Sequence, residues 1–136
     1  MKKILYILVF IFSFSAVSFA QDEVNGGEKL REKMVEYIQT KLALTKTESE
    51  KFQPIFNDYL RQMRSTRQEY KSDRILLQQK MAELRVRTRD QLKPVLGETR
   101  SNEVFKHEHD FVEKAKAELK DRIEERRANK KTGLLL

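Results

Sequence analysis

The chain has no cysteine and no tryptophan, and only two prolines and four glycines in 136 residues. Without cysteine, no disulfide can reinforce a small core, and no thiolate is available for catalysis or metal binding. So little Pro and Gly leaves few of the signals that break helices and build tight turns. A Gly-rich phosphate loop, a nucleophile elbow and an HExxH helix are missing too. Nothing points to an enzyme, so neither a catalytic residue nor a cofactor is expected. What remains reads as one small all-α domain in which 36% of residues are charged, against about a quarter in ordinary proteins.

There is one long apolar run, and it stands at the start. Lys2 and Lys3 precede Ile4 to Phe14, which is apolar apart from Ser13. Ser18-Phe19-Ala20 then places small residues at the −3 and −1 positions of a cleavage site. The run is short for a membrane span of about 20 residues. Residues 1–20 are therefore expected to be a cleaved secretory signal peptide. Gln21 follows rather than Cys, so no lipid anchor is expected. The mature protein is expected in the periplasm, with no stable membrane insertion. Nucleic acid is not an expected partner there.

Lys and Arg number 28 against 21 Asp and Glu, a net +7, and the leader holds two of the cations. Such an excess is either solvated helix surface or a functional basic face. Residues 21–27 are polar with a Gly pair and read as a flexible leader. A first helix is expected from Glu28 to Leu42, with Leu30, Met34, Ile38 and Leu42 on one face.

The central stretch, Leu44 to Leu96, reads as one long amphipathic helix or two helices end to end. Thr45 and Glu48 form a capping box at its start, and Pro54 is expected to kink it. Phe52, Phe56, Tyr59, Met63, Tyr70, Leu77, Met81 and Leu84 recur in steps of three, four or their sums. At about 100° per residue they form one apolar band. Arg61, Arg64, Arg67, Lys71, Arg74, Arg85 and Arg89 fall on one flank of that band. Asp58, Glu69, Asp73, Glu83 and Asp90 fall on the other. Residues 64–74 carry few apolar groups and mark the weak point. Pro94 to Gly97 reads as a turn, with Gly97 suited to a left-handed cap. A last helix is expected from Glu98 to Arg127, followed by a basic and apolar tail, residues 128–136, expected to be disordered. The domain, residues 28–127, is expected to form a long helical hairpin of three to four helices.

Two stretches could carry function. The basic flank with its apolar seam suits capture of unfolded chains: charge attracts acidic segments and the seam holds apolar side chains. Equally, the seam is a core or a dimer interface and the flank a solvated surface. His107 and His109 are weak metal candidates, because residues two apart on a helix point about 200° from each other. Glu103 and His107 have the better spacing.

Leu44-Thr45-x-x-Glu48 opens the long helix, and Leu96-Gly97-x-x-Arg100 opens the last one. With the leader and a short first helix, this layout resembles the Spy/CpxP family of periplasmic stress proteins. Their hallmark is a pair of Leu-Thr-x-x-Gln motifs. Here Glu48 replaces the first Gln, Gly97 and Arg100 replace Thr and Gln of the second motif, and the interval is short. The resemblance implies an intertwined, cradle-like homodimer. It also implies ATP-independent holding of unfolded or misfolded envelope proteins on a basic and apolar face. Other members damp an envelope-stress sensor kinase, and some relatives sense zinc, copper, nickel or cobalt. These remain alternative expectations.

Overall fold

The computed structural model describes the backbone of residues 18–133 and the side chains of residues 26–133. Most of the expected signal peptide, and Leu134 to Leu136, lie outside the described residues. Four helices follow one another: α1 (Ser18–Lys41), α2 (Lys46–Glu69), α3 (Arg74–Leu96) and α4 (Glu98–Gly133). There is no strand among the described residues, so the fold is all-α. No described helix is long and apolar enough to cross a membrane. The chain divides within α1, and the described residues from Met34 onward form one packed unit.

Residues 18–33 are described by themselves. Residues 21–27, expected as a flexible leader, are helical, and Gly26 and Gly27 are exposed with nothing packed against them. Leu30, expected on the apolar face, is exposed.

Within the packed unit the 3.6-residue period decides what is inside. Met34, Val35, Ile38 and Leu42 come from the end of α1 and the residue after it. Phe52, Phe56, Tyr59 and Leu60 come from α2, Leu84, Leu92 and Leu96 from α3, and Val104 from α4. Phe52 stacks on Phe56 with ring centroids 5.1 Å apart, Phe56 meets Tyr59, and Tyr59 meets the edge of Phe105. Fully burying one such side chain is worth about 1.5–3 kcal/mol. Buried Thr88 stays satisfied by donating to the Leu84 carbonyl at 2.9 Å.

The turns set the path. After α1, Leu44 N–H donates to the Gln39 carbonyl and Ala43 N–H to that of Thr40. This is a Schellman ending, with Ala43 at φ 49° where Gly is usual. Thr45 then caps α2 through the expected box: Glu48 N–H donates to Thr45 Oγ1, and Thr45 N–H to Glu48 Oε2. Pro54 stays inside α2 on its exposed side.

The central stretch is not one helix, nor two end to end. α2 and α3 pack on each other across a turn of Tyr70 to Asp73. Tyr70 N–H donates back to Thr66, Asp73 N–H donates to the Tyr70 carbonyl, and Asp73 Oδ1 accepts from Leu76 N–H. The Asp73 cap gives the new helix a start that the extended alternative lacks. Arg87 Nη2 of α3 donates to Gln62 Oε1 of α2 at 2.6 Å and ties the pair.

The second turn is tighter than expected. α3 continues through Pro94 to Leu96, and Gly97 alone separates it from α4. Gly97 sits at φ 81°, ψ 171°, not in the left-handed helical region but in one that is essentially glycine-only. α4 continues beyond Arg127 to Gly133, so the described part of the expected disordered tail is helical.

The space around Gly97 is open: an added Cβ meets nothing within 4 Å. Gly97→Ala therefore isolates backbone strain, and it should destabilise the protein by about 1–3 kcal/mol. Urea unfolding should show this as a lower midpoint at unchanged slope.

Candidate functional site

Three sites were legible as sequence candidates: the paired motifs, the basic flank with its seam, and the histidine pair. The structure treats them differently.

The two motifs meet. Glu48, in the first turn of α2, and Arg100, in the first turn of α4, are 52 residues apart in sequence. Arg100 Nη2 donates to Glu48 Oε1 at 2.6 Å, and Nη1 donates to Oε2 at 2.9 Å. Arg100 Nε donates to the Leu96 carbonyl at 3.1 Å. Glu48 thus closes the α2 cap with one carboxylate and accepts a two-pronged guanidinium with the same group, a strong and directional pairing. Leu96 is buried and Leu44 half-buried against the core. The fourth residues of the two motifs, Glu48 and Arg100, are complementary: together they make an ion pair. Hydrogen bonds from Arg100, then from Thr45, hold the Glu48 carboxyl down to about 2.

The seam is not an open surface. Phe52, Phe56, Tyr59, Met81 and Leu84 are buried in the protomer itself. Met63, Tyr70 and Leu77 are half-buried. The expectation that all eight form a client-binding or dimer seam is corrected on this point. Once the central stretch folds back on itself, α3 and α4 cover the aromatic face of α2.

The cations divide between the two packed helices. Arg61, Arg64 and Arg67 lie on the last turns of α2, Lys71 in the turn, Arg74 at the start of α3, and Arg85 and Arg89 further along it. Arg61 pairs with Asp58 and Arg89 with Asp90. Among the described residues Arg64, Arg67, Lys71, Arg74 and Arg85 are exposed and form no ion pair within 4.0 Å. The hairpin tip therefore carries an excess of positive charge, four cations against Glu69 and Asp73. It also carries apolar surface: Ile75 is 81% exposed, with half-buried Met63, Tyr70 and Leu77 nearby in the sequence. Sequence reasoning missed Ile75. The signal was the run Ile75-Leu76-Leu77, in which one residue of a helix must face out.

The two histidines sit in different surroundings. His107 is largely buried, meets Tyr37 edge-on at 6.5 Å, and places Nδ1 4.0 Å from Asp110 Oδ2. Glu103 and His109 are exposed. No cluster of three or more metal-ligating side chains occurs among the described residues.

Glu108, between the histidines, is the unexpected residue. It is 6% exposed, in phase with Ser101 and Val104 on the inner face of α4. Its Oε2 and the Tyr59 hydroxyl are buried without a hydrogen bond of standard geometry. Burial pushes the Glu108 carboxyl up, while Tyr59, Arg85 and Arg67 pull it down less strongly. Burial and the neighbouring Glu108 likewise push the Tyr59 hydroxyl above the ordinary phenol range.

Compared with protein-family models, curated proteins and solved structures, the chain matches none.

Two pH effects of opposite sign follow. Glu48 titrates at about 2 in the fold, below the ordinary 4.5, so the unfolded chain binds its proton first. Its stabilisation is present above about pH 4.5 and is lost as pH falls toward about 2. Arg100→Gln should flatten this part of the acid limb in a pH series of urea midpoints, and an unchanged limb would contradict the clamp. Glu108 titrates above 4.5 in the fold, so the folded state holds its proton more tightly. Its contribution falls as pH rises from about 4.5. Glu108→Gln should be at least as stable as wild type at neutral pH. The gap should shrink as the wild-type carboxyl is protonated.

Proposed function

We propose that the chain is a divergent, compact Spy/CpxP-type protein, exported to the periplasm and acting as a homodimer. On this reading it holds unfolded or misfolded envelope proteins without a nucleotide. The observation that carries the proposal is the hairpin tip, where exposed Arg64, Arg67, Lys71 and Arg74, without an ion pair among the described residues, share one stretch of chain with exposed Ile75. A basic rim attracts acidic client segments quickly, and a small apolar centre holds them loosely. The α2–α3 core stays closed, so the holding surface is the outside of the hairpin and not its interior. The meeting of the two motifs at Glu48 and Arg100 supports the family reading. An exposed strip along α3, with Ala82 and Val86 between charged neighbours, supports a contact between copies.

The test is suppression of aggregation of a chemically unfolded protein, without ATP, at low and high salt. Suppression should occur near stoichiometric ratio and weaken with salt. Changing Arg61, Arg64, Arg67 and Lys71 to Ser should weaken it further, and so should Ile75→Ser. Failure of the folded protein to suppress would discard the chaperone reading in favour of a regulatory ligand of a sensor kinase.

A further inference from the structure

Among the described residues of the packed unit, the last part of α4 has no packing partner. From Lys116 to Gly133 every side chain is exposed, including Leu119 at 59% and Ile123 at 42%. A shallow groove there is lined by Lys116, Leu119, Lys120, Ile123, Glu124 and Arg127, all from this one helix.

The charges on this arm are sorted. At about 100° per residue, Leu119 and Ile123 continue the stripe that begins with half-buried Val112 and Ala115. Lys116, Lys120 and Arg127 lie on one flank of that stripe. Arg122 lies on the other, and Arg126 and Lys130 fall within it. The acids Glu118, Asp121, Glu124 and Glu125 occupy the opposite side. Lys116 donates to Glu113 at 3.0 Å, and Lys120 approaches Glu124, and Arg122 Glu118, at 3.9 Å. Such exposed pairs hold a cation weakly.

This pattern selects an occupant. A second copy docking the same stripe would set cations against cations along both flanks, which is repulsive. A protein groove that takes a helix uses a broad row of apolar anchors, and this arm offers two large ones. A narrow stripe with cations on both sides and acids turned away is the layout of a helix lying on an anionic membrane surface. There the cations meet lipid phosphates and the two apolar side chains enter the interface. The sequence continues directly into Leu134-Leu135-Leu136.

We propose that residues 116–133 form a peripheral docking helix for anionic phospholipid, with Leu119 and Ile123 facing the bilayer and Lys116, Lys120, Arg122, Arg126 and Arg127 its headgroups. The test is co-sedimentation of the purified protein with vesicles of phosphatidylcholine alone or mixed with phosphatidylglycerol. Binding should require phosphatidylglycerol and should fall steeply with salt. The triple change Lys116→Gln, Lys120→Gln, Arg127→Gln should weaken it about a hundredfold. Leu119→Ser with Ile123→Ser should weaken it about tenfold or more. All of these positions are exposed, so far-UV circular dichroism should show both variants folded. The wild type and the variants share the same N-terminal apolar run, so any difference between them belongs to the arm. Equal binding to both lipids, equal binding of wild type and variants, or no binding would each overturn the proposal. Binding of the arm to an acidic unfolded polypeptide but not to vesicles would overturn it in favour of a protein partner.

Discussion

Arg100 grips both carboxylate oxygens of Glu48, and each partner is also fastened to a helix end. Glu48 closes the cap of α2, while Arg100 holds the last carbonyl of α3. One interaction therefore joins the start of α2, the end of α3 and the start of α4. As a charge pair between side chains 34% and 23% exposed, it is screened and adds modestly to stability. Its larger effect is on geometry. A chain of helices without disulfides can slide, because leucine-type contacts tolerate several registers. A two-pronged guanidinium contact tolerates one. With that end fixed, Phe52 and Phe56 join the common core, and Tyr59 reaches Phe105 on α4.

A second ionisable group sits deeper and acts in the opposite sense. Glu108 occupies an inward position of α4 that an apolar residue would fill with less desolvation cost. The charges of Arg67 on α2 and Arg85 on α3 favour its ionised form, less strongly than burial opposes it, so charge from three helices bears on one buried carboxyl. Apolar packing brings the middle of the bundle together without distinguishing orientations. A buried carboxylate with cations on two neighbouring helices favours the arrangement that keeps it near them. Glu48 orders the end of the bundle and Glu108 its middle. The first is strongest when ionised, and the second is least costly when protonated.

Much of this was readable in the sequence. Periodicity placed Met34, Ile38, Phe52, Phe56, Tyr59 and Leu84 on buried faces. Thr45 with Glu48 announced the cap, and Gly97 announced a turn. The reversal between α2 and α3 was hidden because no Gly or Pro marks it. A single helical wheel can be drawn straight through Lys71. Only Ser72-Asp73, a capping pair, hinted at a new start. Drawing one wheel also merged the cations of two packed helices into one flank, and turned a protomer core into an open seam. The Glu48–Arg100 pair was hidden for another reason. Each residue alone looked like a departure from its motif, and only their juxtaposition shows that the departures compensate. Glu108 was masked by its histidine neighbours, although its spacing from Ser101 and Val104 put it on the inner face.

The charge of the chain is distributed by the same logic. Some charged side chains on α2 and α3 lie within reach of an opposite neighbour, as Arg61 does of Asp58, Lys80 of Glu83 and Lys93 of Asp90. Cations still outnumber acids along α3, at the hairpin tip and along the arm of α4. The tip and the arm also leave apolar side chains in water: Ile75 at the tip, Leu119 and Ile123 on the arm. A fold that only needed solubility would have no reason to place its uncompensated cations beside its exposed apolar groups. Either feature alone is ordinary for a surface. Their coincidence at two separate sites is the physical basis that the two proposals share, a polypeptide at the tip and a lipid surface along the arm.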